Sequence, residues 1–164
     1  MSISLDDYLE TEEQAEKVLN VLATYNVYKP PVPTWIIQRM MPYLTMELKS
    51  MPEEVIGFSF PNKDKSHMLL NEKYSYGALR FTAFHEFYHL LNGKLGYSKD
   101  TPQGAAEEKK ADFFAACLLM PARWFRKEWE KTGGDIEKIA KIFGVSVLAA
   151  HMRALNLEHY LRKN

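Results

Sequence analysis

Apolar positions along the chain follow two periods, and the change between them separates a short strand-forming stretch from helical flanks. Leu9, Val18, Leu19 and Leu22 lie partly at helical spacing and predict a helix over residues 6–25. The run Lys29-Pro30-Pro31-Val32-Pro33 then breaks the chain. Thr34 stands where it can cap a short helix over 35–41, which Pro42 would end. Residues 44–48 alternate apolar and polar and read as a strand; 55–60 and 67–71 are two further strands. Pro61-Asn62-Lys63-Asp64-Lys65 between the last two predicts a hairpin. After it the pattern is helical. A helix over 76–92 closes at Gly93, a loop covers 94–104, and a second helix over 105–120 stops at Pro121. A third, over 122–131, closes at Gly133-Gly134, and residues 135–143 and 147–155 flank Gly144 as a helix–turn–helix pattern.

The expected fold class is therefore α+β: a mostly helical body, a small sheet of about three strands beside it, and a C-terminal helical hairpin. No linker is long enough to separate two domains. Residues 1–164 are expected to form one domain, with 134–164 as a helix-turn-helix-like subdomain.

Composition narrows the function classes. Lys+Arg and Asp+Glu both number 21, so the formal net charge is zero and offers no electrostatic reason to bind nucleic acid or an anionic membrane. No apolar run approaches the roughly 20 residues needed to span a bilayer. The polar, acidic start lacks the basic and apolar stretches of a signal peptide. Cys117 is the single cysteine, which rules out an internal disulfide and fits a reducing compartment. A cytoplasmic protein is the expectation.

The chemistry lies in His85-Glu86-Phe87-Tyr88-His89, an H-E-x-x-H motif on the helix over 76–92. Four helical residues advance roughly 6 Å and turn about 400°, so both imidazoles point the same way, one turn apart. Two nitrogens at that spacing can share a tetrahedral zinc. Glu86 projects about 100° further round, where it can reach a water beside the metal without being a ligand. Ala83, Phe84, Phe87, Leu90 and Leu91 lie away from the histidines and form the expected core side. A catalytic zinc needs a third protein ligand and an open fourth position. Glu108, at the start of the next helix, is the candidate, and Asp112 on the same face can orient a ligand histidine. Glu107 is the rival, but it shares a face with Ala111, Phe114 and Leu118. Without the histidine motif, the acids at 107 and 108 would read as a solvated helix start favoured by the N-terminal dipole.

Residues 80–89 (RFTAFHEFYH) resemble the "RFTxAHELGH" block of the ImmA/IrrE family of metallopeptidases. Residues 108–121 (EKKADFFAACLLMP) resemble its "ExxA[ND]xFAAxLLMP" block, and 139–157 (IAKIFGVSVLAAHMRALNL) its C-terminal "LAxxFxVSxxAxxxRLxxL" segment. The likeness runs from about residue 57 to residue 157. It implies a zincin-like, zinc-dependent protease fold related to thermolysin-like enzymes, with one zinc per chain. Carried over by position, His85, His89 and Glu108 match the metal ligands and Glu86 the catalytic glutamate. The resemblance also implies a protein substrate: members often act beside a helix-turn-helix repressor and relieve repression by cleaving it, in prophages, mobile elements or stress responses. Three positions depart from the pattern. Phe84 replaces a small alanine, Tyr88 replaces a glycine, and Gly93 stands where a histidine is common.

Peptide hydrolysis is the expected reaction, with the strand over 67–71 offering an edge to an extended peptide. His67, Tyr97, His151 and Arg153 are candidates for stabilising the transition state, and Arg153 matches a family position. Tyr88 flanks the ligand face and either contacts substrate or packs on the sheet. Two rival readings remain. One is a DNA-binding module through 139–155, whose second helix carries only His151 and Arg153 as polar or basic reach. The other is a non-proteolytic zinc protein, such as a toxin–antitoxin component or a binding adaptor.

Overall fold

The computed structural model describes residues 4–93 and 100–158. Tyr97, residues 94–99 of the expected loop, and the ends of the expected domain and subdomain lie outside the described residues.

Helix α1 (Leu5–Thr24) starts at a capping box, in which Ser4 and Asp7 satisfy each other's backbone N–H. Its buried positions Thr11, Ala15, Val18 and Leu22 form one stripe at helical spacing. Helix α2 (Trp35–Met40) is short. Thr34 precedes it in α conformation and makes no side-chain cap, contrary to expectation.

Strands β1 (Leu44–Lys49), β2 (Gly57–Asn62) and β3 (Lys65–Asn71) form one mixed sheet in the order β1-β3-β2. β1 runs parallel to β3, and β2 antiparallel. The expected edge strand is thus the central one, because both its ladders are occupied; the open edges belong to β1 and β2. The hairpin turn is also tighter than residues 61–65 suggest. Asn62 pairs with Lys65, so Lys63 and Asp64 alone make the turn, Lys63 at φ 53°. β2 begins two residues later than its apolar pattern because the Val55 and Ile56 carbonyls are taken by Asn71, through Nδ2 at 2.8 Å and the backbone N–H at 2.8 Å.

Helix α3 (Tyr76–Asn92) has the expected bounds: Ser75 caps its start and Gly93 ends it at φ 61°. Helix α4 (Pro102–Leu119) begins three residues before the predicted start. Thr101 accepts the Gly104 N–H, and Pro102 occupies the first turn, where its missing N–H costs nothing. Helices α5 (Ala122–Thr132), α6 (Ile136–Phe143) and α7 (Val147–Asn156) follow. The α6–α7 turn is the expected helical hairpin, with Gly144 left-handed at φ 64°.

The core lies where the sheet, α3, α4 and α1 meet. Met68, Phe84, Phe87, Phe114, Leu118 and Leu22 are fully buried there. Leu91, expected on the core side, is 39% exposed because its position turns beyond the packed stripe. Buried Arg80 ties the C-terminal hairpin to the proline segment: Nη2 donates to the Val32 carbonyl at 2.7 Å and Nε to that of Gly144 at 3.0 Å. These bonds satisfy a charge that burial would otherwise make costly.

Candidate metal centre

α3 and α4 pack antiparallel, which follows from their pairs: His85 meets Asp112, whereas His89, one turn later, meets Glu108. Phe87 and Tyr88 approach the Phe114 ring from α3, at 6.1 and 5.5 Å between centroids, and set the spacing of the two helices. On the opposite side of that contact the donor atoms converge. His85 Nε2 and His89 Nε2 lie 3.1 Å apart; Glu108 Oε2 is 3.4 Å from the first and Glu108 Oε1 3.2 Å from the second. The ligand atoms of these three residues lie within 4.8 Å of one another.

Those distances suit a metal. Ligands held tetrahedrally at 2.0–2.1 Å from zinc stand about 3.3–3.4 Å from each other. Two imidazole nitrogens facing each other at 3.1 Å also need a cation or a shared proton between them. The site's electrostatics agree. Burial works against charge on His85, yet hydrogen bonds to Asp112 and Glu108 outweigh it and raise its pKa to about 9. Burial, and then the charge on His85, push the pKa of His89 down. The pair thus holds one positive charge in a pocket of carboxylates. Two imidazoles and one carboxylate are a borderline-soft donor set of the kind zinc takes. The side chains of His85, His89 and Glu108 are 13%, 8% and 25% exposed, so the cluster is largely buried but reaches solvent.

Asp112 accepts from His85 Nδ1 at 2.8 Å, which orients the ring so that Nε2 faces Glu108. His89 Nδ1 is buried and has no hydrogen-bond partner among the described residues. Glu108 sits in the second turn of α4, not at its start, because the helix begins earlier than predicted. The helix-dipole explanation for its acidity loses force at that distance. Glu107 points elsewhere: it accepts from the Tyr88 hydroxyl at 3.3 Å and lies 3.7 Å from Lys110, which bridges to Asp7 of α1.

The remaining sequence candidates are not among the converging donors, although the Tyr88 ring stands 5.7 Å from that of His89 and Arg153 lines the same groove as Asp112. Tyr88 is 4% exposed and packs on α4 against Phe114, not on the sheet. Its hydroxyl reaches a polar slot between α1 and α4 and donates to Glu107 there. His67 lies on β3 with its ring stacked on Phe60 at 5.2 Å. Arg153 is 2% exposed, and its Nε donates to the Met120 carbonyl at the end of α4 at 3.0 Å. His151 is exposed on α7. One residue escaped the sequence reading. Ser59, on β2, donates from Oγ to Glu86 Oε2 at 2.6 Å. Its signal was a small polar residue alternating with Phe58 and Phe60.

A family model described as the IrrE N-terminal-like domain, a peptidase family, matches residues 41–155. A solved structure of a Mycobacterium tuberculosis transcriptional regulator superposes with a TM-score of 0.65 at 15% identity, covering 90% of this chain and 46% of that one. The present chain therefore spans about half the length of that protein, and the likeness is one of fold. No curated protein matches the chain significantly.

Proposed function

Because the chain belongs to the IrrE N-terminal-like family of peptidases, a metallopeptidase-type family, we propose that it is a zinc-dependent peptidase. His85, His89 and Glu108 would hold one metal ion per chain, with Glu86 as the general base. The observation that carries this reading is the convergence of the three donor residues within 4.8 Å, two of them on α3, which also presents Glu86, and the third on α4. A zinc ion held there supplies Lewis acidity, polarising the scissile carbonyl and bringing the pKa of water towards about 7. Glu86 takes the proton of the attacking water as the new C–O bond forms. It returns that proton to the amine as the C–N bond breaks. Asp112 keeps the His85 ring aligned throughout.

Two features favour a peptide substrate. β2 runs beside Glu86 and has an open edge, to which an extended chain can add by backbone pairing. A groove of about 510 Å³ opens along Asp112, lined by Ala78 and Phe81 of α3, Phe113 and Ala116 of α4, and Met152 of α7. Its lining suits an apolar side chain of a bound chain. The proposed substrate is a helix-turn-helix transcriptional repressor, in keeping with the family resemblance and with the similar solved structure being that of a transcriptional regulator. Residues 4–158 are read as one domain, the C-terminal hairpin being held to α3 by Arg80.

The DNA-binding reading is weaker. Arg153 is 2% exposed with its Nε on the Met120 carbonyl, and the exposed residues of α7 include Val147, Leu148, Met152 and Leu155. Apolar side chains there contribute nothing to phosphate binding. Among the described residues, no helix is long and apolar enough to cross a membrane.

The test is hydrolysis of a peptide library by the zinc-loaded protein, with new termini read by mass spectrometry. The wild type should cleave, whereas chelation and Glu86→Gln should each abolish cleavage, the variant keeping its metal. Full activity in Glu86→Gln, or no new termini from the metal-loaded wild type, refutes the proposal.

A further inference from the structure

We propose that Ser59 is a positioning residue that aims the Glu86 carboxylate for proton transfer; the role rests on the peptidase reading above. The Ser59 hydroxyl donates to Glu86 Oε2 at 2.6 Å, the short range of a charge-assisted O–H···O⁻ bond. A glutamate has three side-chain torsions, and a general base must hold one oxygen toward the reacting proton. Ser59 fixes Oε2 and so presents Oε1.

The placement of Ser59 is built into the fold. Gly57 lies two residues earlier on the same face of β2, against Thr82, one turn before Glu86 on α3. Two strand residues advance about 6.5–7 Å and one helical turn about 5.4 Å, so the steps along the two elements nearly match. A Cβ at Gly57 would stand 2.8 Å from Leu70 Cδ2, 2.8 Å from Thr82 Cγ2 and 2.9 Å from the Leu69 carbonyl oxygen. Only glycine lets β2 lie this close to α3, and that approach carries Ser59 to the carboxylate. The register is locked as well. Ser59 pairs with Met68, which is fully buried, so a one-residue slip of β2 would turn Phe58 or Phe60 toward Glu86 in place of Ser59. Ser59 also lies on the strand with the open edge beside the site. A peptide that pairs with β2 is therefore registered against the strand that holds the base.

The experiment compares Ser59→Ala and Ser59→Thr with wild type in three readouts. The first is metal content. The second is kcat and KM on a peptide the wild type cleaves. The third, independent of activity, is the Glu86 side-chain conformation in high-resolution crystals of the metal-free proteins. Ser59→Ala should keep one metal per chain and a KM within about twofold, while kcat falls about ten- to hundredfold. Its Glu86 should occupy more than one rotamer. Ser59→Thr, which keeps the hydroxyl and suits a strand, should recover most of kcat and a single Glu86 conformer. An unchanged kcat, a single Glu86 rotamer in Ser59→Ala, or loss of metal or folding in that variant overturns the proposal. If the wild type cleaves no peptide, the peptidase reading fails separately, and the rotamer comparison still decides whether Ser59 fixes Glu86.

Discussion

Asp112→Ala weakens metal binding, and the deficit grows with pH. Asp112 accepts from His85 Nδ1 at 2.8 Å, and removing such a partner of a ligand histidine costs about 10- to 100-fold in metal affinity. The Asp112 side chain is 59% exposed, so water replaces part of the bond and the intrinsic loss lies near the lower figure, about tenfold. A second effect opposes it. Without metal, His85 carries a proton up to about pH 9, because its hydrogen bonds to Asp112 and Glu108 outweigh the burial that disfavours its charge. That proton must leave when metal binds. At pH 7, about two units below the His85 value, proton competition weakens wild-type binding roughly hundredfold. Wild-type affinity therefore rises with pH and levels off above about 9. His89, whose pKa is pushed down first by burial and then by His85, competes less for its proton than His85 does. Asp112→Ala lowers the His85 pKa and relieves part of the competition, so the variant approaches wild type near pH 6 and falls about tenfold behind above pH 9. Competition against a chromophoric chelator from pH 6 to 9.5 measures both curves. A deficit that is absent, or constant with pH, refutes the reasoning.

Phe87→Ala removes a fully buried ring from the α3–α4 contact and should cost about 3–5 kcal/mol in denaturant unfolding; a loss under about 1 kcal/mol contradicts the packing described. Arg153→Met keeps the volume but leaves the Met120 carbonyl unpaired. It should cost about 1–3 kcal/mol with metal content unchanged, and loss of metal at full stability would return Arg153 to the site. Burial pushes the Cys117 thiol up to about 11, the dominant influence there. Iodoacetamide at pH 8 should leave it intact in the folded protein and alkylate it in denaturant; rapid labelling of the folded form contradicts its burial.

Much of the site was legible because its geometry is local. Once Ser75 and Gly93 bound α3, the helical repeat alone turns His85 and His89 to one side, and the face of α4 that holds Glu108 and Asp112 follows from the same repeat. Glu107 was set aside on the same ground, and it is indeed turned to Tyr88 and Lys110. What the sequence hid depends on contacts between distant segments. The centrality of β3 is a matter of strand order, which alternation within one strand does not encode. Ser59 acquires its partner only through the approach of β2 to α3 at Gly57. Tyr88 and Arg153 each meet a partner from another element, Glu107 and the Met120 carbonyl, which no helical wheel shows. The early start of α4 was readable in principle, from Thr101 followed by Pro102, but the glycine and proline were taken for a loop.

The most direct test of the account is metal content, measured for purified wild type beside Glu108→Ala and Glu107→Ala. The account predicts about one zinc per chain in wild type and Glu107→Ala, and its loss in Glu108→Ala with the fold retained. A wild type that takes up no metal when zinc is supplied, or a Glu108→Ala protein that keeps its full complement, contradicts it.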